Sequence, residues 1–110
     1  MNKRALYKGC LEPIILKLLQ EHKRMYGYEL TMMVKEQTKG EFVITEGALY
    51  PLLHRLEEEG ILQAELEYIG NRPRKYYKLT SKGHTAQQKA FQELSNFIET
   101  LQLLSKPAQI

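Results

Sequence analysis

TEGALYPLLHRLEEEGIL, residues 45–62, is the stretch on which the reading of this chain turns. Leu49, Leu52, Leu53 and Leu56 recur at the spacing of one helical face, and Tyr50, His54 and Arg55 fall on the other. One face is built to pack, which leaves the other free to read a partner. Thr45 stands where an N-cap belongs, Glu46 where a helix N-terminus favours an anion, and Gly60 where a helix closes. Pro51 has no N–H to offer the carbonyl of Gly47 and crowds it. A kink or an irregular first turn is therefore expected, with the backbone from Gly47 to Tyr50 left accessible.

Outward from this helix, Leu62, Ala64, Leu66 and Tyr68 alternate with Gln63, Glu65 and Glu67, the period of a half-buried strand. Gly70, Asn71 and Pro73 mark a turn. The run RKYYKLT then puts Tyr77 and Leu79 on one side and Tyr76, Lys78 and Thr80 on the other, so the two runs close as an antiparallel hairpin. Thr80 or Ser81 caps a last helix in which Ala90, Leu94, Phe97, Leu101 and Leu104 step by four and three residues in alternation. That is a heptad seam, widened by Phe91 and Ile98, and too apolar to leave in water on an isolated chain.

Before the central stretch, Leu11, Ile14, Ile15, Leu18 and Leu19 match a core-facing helix that stops near His22, with Pro13 tolerated in its first turn. Residues 1–9 read as a loosely ordered lead-in and KRMYG, residues 23–27, as a turn. Gly27 opens a second helix with Tyr26, Leu30, Met33 and Val34 on one face, and Gly40 ends it. Phe42, Val43 and Ile44 are too few and too β-branched for a helix and are expected to form a brief strand.

At 110 residues and 43% hydrophobic, the chain holds one modest core and gains from a partner. With no long apolar run and no signal-peptide arrangement, a soluble cytoplasmic protein without a membrane partner is expected. The net charge of +3 is mild, but its placement is not even. Residues 57–67 carry only acid (Glu57, Glu58, Glu59, Glu65, Glu67) and residues 71–82 only base (Arg72, Arg74, Lys75, Lys78, Lys82), a localised basic patch. The pattern argues against an enzyme. There is no Asp, no nucleophilic triad and no phosphate loop, and His22, His54 and His84 are too scattered to hold a metal with Cys10. Cys10 beside an apolar helical pattern reads as core, and neither a metal nor a cofactor is expected.

The order helix, helix, short strand, helix, hairpin gives the fold class: mainly α with a small β-hairpin, a winged helix-turn-helix followed by a C-terminal dimerisation helix. Residues 28–38 are the supporting helix, 46–59 the recognition helix and the hairpin the wing; residues 1–83 form the DNA-binding domain and 84–110 the dimerisation helix. YGYEL at 26–30, EGALYPLLHRLEEEGIL at 46–62, RKYYKLTSKG at 74–83 and a single trailing helix together resemble the PadR family of bacterial transcriptional regulators over nearly the whole chain. The resemblance is to its smaller subgroup, and it implies a homodimer in which the last helix pairs two subunits and the first crosses the partner. Repression is likewise what it implies. Some such members bind planar drugs between the paired helices with a tryptophan; here there is no Trp, and Leu94 stands in the corresponding region. A small-molecule effector would then occupy an apolar slot floored by Phe91, Leu94 and Phe97, with a fully packed seam as the alternative.

For double-stranded DNA the chemistry is electrostatic and geometric. The recognition helix brings Thr45, Gly47 and Tyr50 to phosphates or base edges, with His54 and Arg55 one turn on. A wing tip carrying Arg72, Arg74 and Lys75 suits adjacent phosphates or the minor groove, and Tyr28 offers a hydroxyl to a phosphate. Other readings stand beside these. Arg55 at helical spacing from Glu58 and Glu59 can instead stabilise its own helix, and a basic hairpin can be a solvated edge. A winged helix that binds protein rather than DNA is the alternative function, favoured if the wing bases pair with Glu65 or Glu67.

Overall fold

In the computed structural model, which describes residues 3–106, the recognition helix sits at the middle of the core. The elements run α1 (Lys3–Tyr7), a 3-10 turn (Lys8–Cys10), α2 (Leu11–Glu21), β1 (Met25–Tyr26), α3 (Gly27–Gln37), α4 (Glu46–Glu58), β2 (Leu62–Ile69), β3 (Arg72–Leu79) and α5 (Ser81–Ser105). The fold is the expected winged helix-turn-helix with a long trailing helix. Leu49, Leu53 and Leu56 of α4 are fully buried and meet Ile15 and Leu16 of α2, Leu30 and Val34 of α3, and Leu62, Tyr77 and Leu79 of the sheet in one cluster. Removing these side chains from water is what fixes the helices against the wing.

The ends of α4 form as its sequence requires. The Thr45 hydroxyl accepts from the backbone N–H of Ala48 at 3.3 Å, and Gly60, at φ 77°, takes the left-handed conformation that lets the amide of Ile61 reach back to the carbonyl of Leu56. The kink or irregular first turn expected at Pro51 does not interrupt the helix, which runs from Glu46 to Glu58. Only one intrahelical bond is lost, near the N-terminus, where the Thr45 carbonyl already holds the amides of Ala48 and Leu49.

Four further expectations are corrected. The lead-in is helical from Lys3 to Cys10, and the stacking of Tyr7 on Phe42, with ring centroids 4.6 Å apart, supplies an anchor that the basic local sequence does not advertise. Met25 and Tyr26 are not a turn but β1, paired antiparallel with Tyr77 and Tyr76 in a sheet of order β1-β3-β2. Phe42, Val43 and Ile44 are not a strand, because that sheet position is already taken. They run extended with Phe42 and Ile44 buried, and the amide of Phe42 is held by the Thr38 hydroxyl at 3.0 Å. Finally, β2 is half-buried only at its start: Leu62 lies in the core, whereas Leu66 and Tyr68 project beyond it and are 64% and 67% exposed.

Helix α5 begins inside the globule and leaves it. Gly83 and Gln87 are buried, Ala90 and Leu94 are partly covered by α2, and beyond them Phe97, Ile98, Leu101 and Leu104 are exposed, Leu104 to 79%. The molecule is correspondingly elongated, 65 × 29 × 21 Å. Leu94 and Phe97 line a groove of about 490 Å³ with Leu6, Cys10 and Pro13. Phe91 faces the other flank, where the Lys17 ammonium lies 4.7 Å from its ring centre. Among the described residues no helix is long and apolar enough to cross a membrane.

Leu53, at 0% exposure, is the test of this core. Leu53→Ala is expected to destabilise the protein by about 2–5 kcal/mol, read as a lowered urea midpoint at unchanged slope.

Candidate nucleic-acid interface

The outward face of α4 presents Gly47, Tyr50 and His54 to solvent, one turn apart, with Thr45 exposed at its start. Tyr50 is not free, however. Its phenol lies against Gly27 at the start of α3, so closely that a Cβ at that position would come within 2.6 Å of the Tyr50 hydroxyl. His54 Nε2 is 3.1 Å from the carboxylate of Glu58 on the same face. Tyr28, 62% exposed, extends this surface from the first turn of α3 and stacks on Tyr26. Arg74 lies over the Tyr26 ring, 4.2 Å from its centre, and donates to the Tyr76 hydroxyl at 3.4 Å. The structure thus brings together Arg74, Tyr28 and Tyr50, which are far apart in sequence, along one strip from wing to recognition helix.

Two other expected contacts are turned elsewhere. Arg55 bonds Glu12 of α2 and Glu59 of its own helix, the helix-stabilising reading that its spacing allowed. Lys75 lies away from the wing tip, opposite Leu66, where its ammonium is 3.1 Å from Glu57 of α4. The Glu57 carboxylate holds Lys75 above the ordinary lysine range, and burial pushes the Tyr77 phenol up although the Lys75 ammonium opposes it. At the tip, Gly70 and Asn71 form a two-residue turn, and Arg72 beside it has no ion-pair partner among the described residues.

Glu65 and Glu67 of the acidic run fall on β2 and Arg72, Arg74, Lys75 and Lys78 of the basic run on the facing β3, while Glu57, Glu58 and Glu59 close α4 and Lys82 opens α5, so the expected basic patch is partly neutralised. Lys78 bonds Glu65 at 2.6 Å. Arg24, which the sequence did not single out, bonds both Glu65 and Glu67 and lies 4.1 Å over the Tyr76 ring, clamping the wing to the segment that opens α3. Its only local signal is its place next to Met25 and Tyr26, whose pairing with β3 a short sequence window cannot show. Among the described residues no cluster of three His, Cys or Glu side chains could hold a metal.

The profile of the transcriptional regulator PadR-like family matches residues 15–89, which hold the helix-turn-helix, the wing and the first turns of α5. The chain belongs to this family. It is similar to the solved structure of a PadR-like transcriptional regulator from Bacillus cereus, at 30% identity and a TM-score of 0.79 over 94% of this chain and 99% of that one. A transcriptional regulator from Clostridium thermocellum aligns with a TM-score of 0.83 at 27% identity, covering 93% and 99%. The fold is also that of Bacillus subtilis PadR, solved in complex with operator DNA, at 24% identity and a TM-score of 0.66. That alignment spans 92% of this chain and 49% of that protein. PadR-family membership makes this a transcriptional regulator of a DNA-binding family, which is not an enzyme class.

The wing clamp has a titration signature. Hydrogen bonds from Lys78, and then from Arg24, hold the Glu65 carboxyl below its ordinary range. A carboxylate whose pKa falls on folding stabilises the fold above its unfolded pKa, and that contribution is lost as pH drops through the lowered value. Carbon-detected NMR titration is expected to give Glu65 a midpoint below that of a free glutamate, and Lys78→Met is expected to raise it.

Proposed function

We propose that this PadR-family protein is a repressor that binds an inverted-repeat operator as a homodimer, with α4 in the major groove and the wing on the flanking backbone. The observation that carries this reading is the two-sided α4: Leu49, Leu53 and Leu56 of its leucine stripe are fully buried and Leu52 partly so, and the opposite face, Gly47, Tyr50 and His54, is exposed and continuous with Tyr28 and Arg74. In this reading Thr45, Gly47, Tyr50 and His54 meet phosphates and base edges, Tyr28 donates to a phosphate, and Arg72 and Arg74 follow the backbone or minor groove. Arg55 and Lys75 reach DNA only by giving up the carboxylates they hold.

The trailing helix supports the dimer. Phe91, Phe97, Ile98, Leu101 and Leu104 leave an exposed apolar face, with Ala90 and Leu94 partly covered at its base, an arrangement that a second copy relieves. The functional division then falls near residue 83 within a continuous helix, the DNA-reading part before it and the dimerising part after it. An effector, if the dimer takes one, occupies the groove floored by Leu94 and Phe97, with Phe91 on the opposite flank. A protein-binding winged helix is the second reading, favoured by the pairing of Lys78 and Arg24 with Glu65 and Glu67. Arg72 and Arg74, which form no ion pair with a carboxylate among the described residues, favour DNA.

Leu94→Glu with Leu101→Glu is expected to give monomer or unfolded chain, because an unpaired charge in the seam costs several kcal/mol. An unmodified protein that sediments as a monomer at micromolar concentration would remove the dimer.

Salt separates the two contact surfaces. Replacing Arg72 and Arg74 by Ala is expected to weaken binding to every duplex and to flatten the slope of log affinity against log salt by up to about one unit per lost phosphate contact. Tyr50→Ala or His54→Ala should instead narrow the gap between operator and random duplex by about 1–3 kcal/mol per lost base contact at nearly constant slope. Half-sites about 34 Å apart are expected, so inserting about half a helical turn between them should abolish tight binding. A full salt slope in the double wing variant, or indifference to the insertion, would favour the protein-binding reading.

A further inference from the structure

The end of the recognition helix and the start of the trailing helix are bonded directly to each other. The three carbonyls that directly follow α4 all accept from Thr80, which caps α5, or from Lys82 in its first turn. Glu59 O takes the Lys82 ammonium at 2.7 Å, Gly60 O takes the single proton of the Thr80 hydroxyl at 2.6 Å, and Ile61 O takes the Thr80 amide at 3.1 Å with the same hydroxyl oxygen 3.1 Å away. The same hydroxyl caps α5 by accepting from the amide of Gly83 at 3.0 Å. Gly83 is buried here for a steric reason. A Cβ on it would lie 2.1 Å from the Ile61 carbonyl oxygen and 3.2 Å from Leu79 Cδ2, so no other residue fits without forcing the helices apart.

We propose that this junction is a positioning element: Thr80 and Gly83 fix the angle between α4 and α5, and so set the operator spacing that two copies of the chain accept. The proposal rests on the DNA-reading homodimer of the preceding section. Its physical basis is a lever. Phe97, at the middle of the apolar seam, lies roughly 21 Å along α5 from Gly83 at 1.5 Å per residue, so a tilt of about 10° at the junction displaces α4 from the dimer seam by about 4 Å. That is close to the rise of one base pair, about 3.4 Å. With the recognition helix welded to the dimerising one, the two reading heads are held to a single separation; with the junction loosened, neighbouring separations become accessible. Thr80 and Gly83 touch neither DNA nor the partner in this scheme and act only through α4.

The test measures affinity for operators whose central spacer is lengthened or shortened by single base pairs, with random duplex, salt slope and sedimentation mass as controls. The wild type is expected to prefer one spacing. Gly83→Ala and Thr80→Val are expected to shift that preference or to flatten it by about fivefold or more, the lower end of ordinary coupling between sites. Their random-duplex affinity, salt slope and dimer mass should stay as in the wild type. Thr80→Ser, which keeps the hydroxyl, is expected to restore the wild-type profile, and Thr80→Val against Thr80→Ser carries the comparison if Gly83→Ala does not fold. A folded, dimeric Thr80→Val protein with the wild-type spacing profile would overturn the junction and leave DNA reading intact. A wild type that does not distinguish operator from random duplex would overturn the DNA reading and the junction with it. Spin labels at Glu46→Cys in a Cys10→Ser background give a readout without DNA: the distance between the two α4 helices should be narrowly distributed in the wild type and broader in Thr80→Val.

Discussion

Burial of the leucine stripe on α4 is the constraint to which the other elements answer. Leu49, Leu53 and Leu56 are removed from water completely, which requires cover from α2, α3 and the base of the sheet at once. Burying each such side chain contributes about 1.5–3 kcal/mol, and the same contacts dictate which face of α4 looks outward. Stability and presentation of the reading surface are therefore one problem solved by one stripe. The caps at Thr45 and Gly60 set where that helix begins and ends, and hence where its exposed residues stand.

Charge is arranged second, around that packed frame. Because β2 carries acids and β3 bases, pairing the strands brings opposite charges together, and the bases of the hairpin without an ion pair among the described residues are Arg72 at the tip and Arg74 on the Tyr26 ring. Arg24, Glu65, Glu67, Lys78 and Tyr76 instead tie the wing to the opening of α3. Exposed ion pairs of this kind add little to global stability, but they hold the orientation of a two-stranded ribbon that has few core contacts of its own beyond Leu62, Tyr77 and Leu79. The same division of labour runs through α4, where Arg55 braces the helix against α2 and Tyr50 and His54 remain outward.

Much of this was legible in the sequence because it depends on periodicity. Leucines spaced three and four apart can only form a stripe on a helix, and the alternation around Tyr77 and Leu79 can only put both on one side of a strand. The reading went astray where an element is defined by its neighbour rather than by itself. Met25 and Tyr26 become a strand because β3 offers them an edge, whereas Phe42 to Ile44, with better strand-forming residues, find none. The lead-in is anchored by the stacking of Tyr7 on Phe42, a contact across 35 positions of sequence. Arg55 and Lys75 fit a DNA-contact pattern locally, but the carboxylates that engage them, Glu12 and Glu57, are brought near only by the fold.

By itself, then, the sequence determined the helices from α2 onward, which face of each is apolar, where α4 is capped and that the hairpin is followed by a helix with an unpaired apolar seam. These follow from local geometry, since the period of the backbone converts residue order directly into faces. Tertiary structure alone decided the long-range partners of the charged groups, such as Glu12 for Arg55 and Glu57 for Lys75, the third strand of the sheet, and the weld between α4 and α5 through Thr80 and Gly83. Those features depend on which distant groups come within hydrogen-bond reach, and a glycine required by a carbonyl 22 residues earlier looks, in the sequence, like any other glycine.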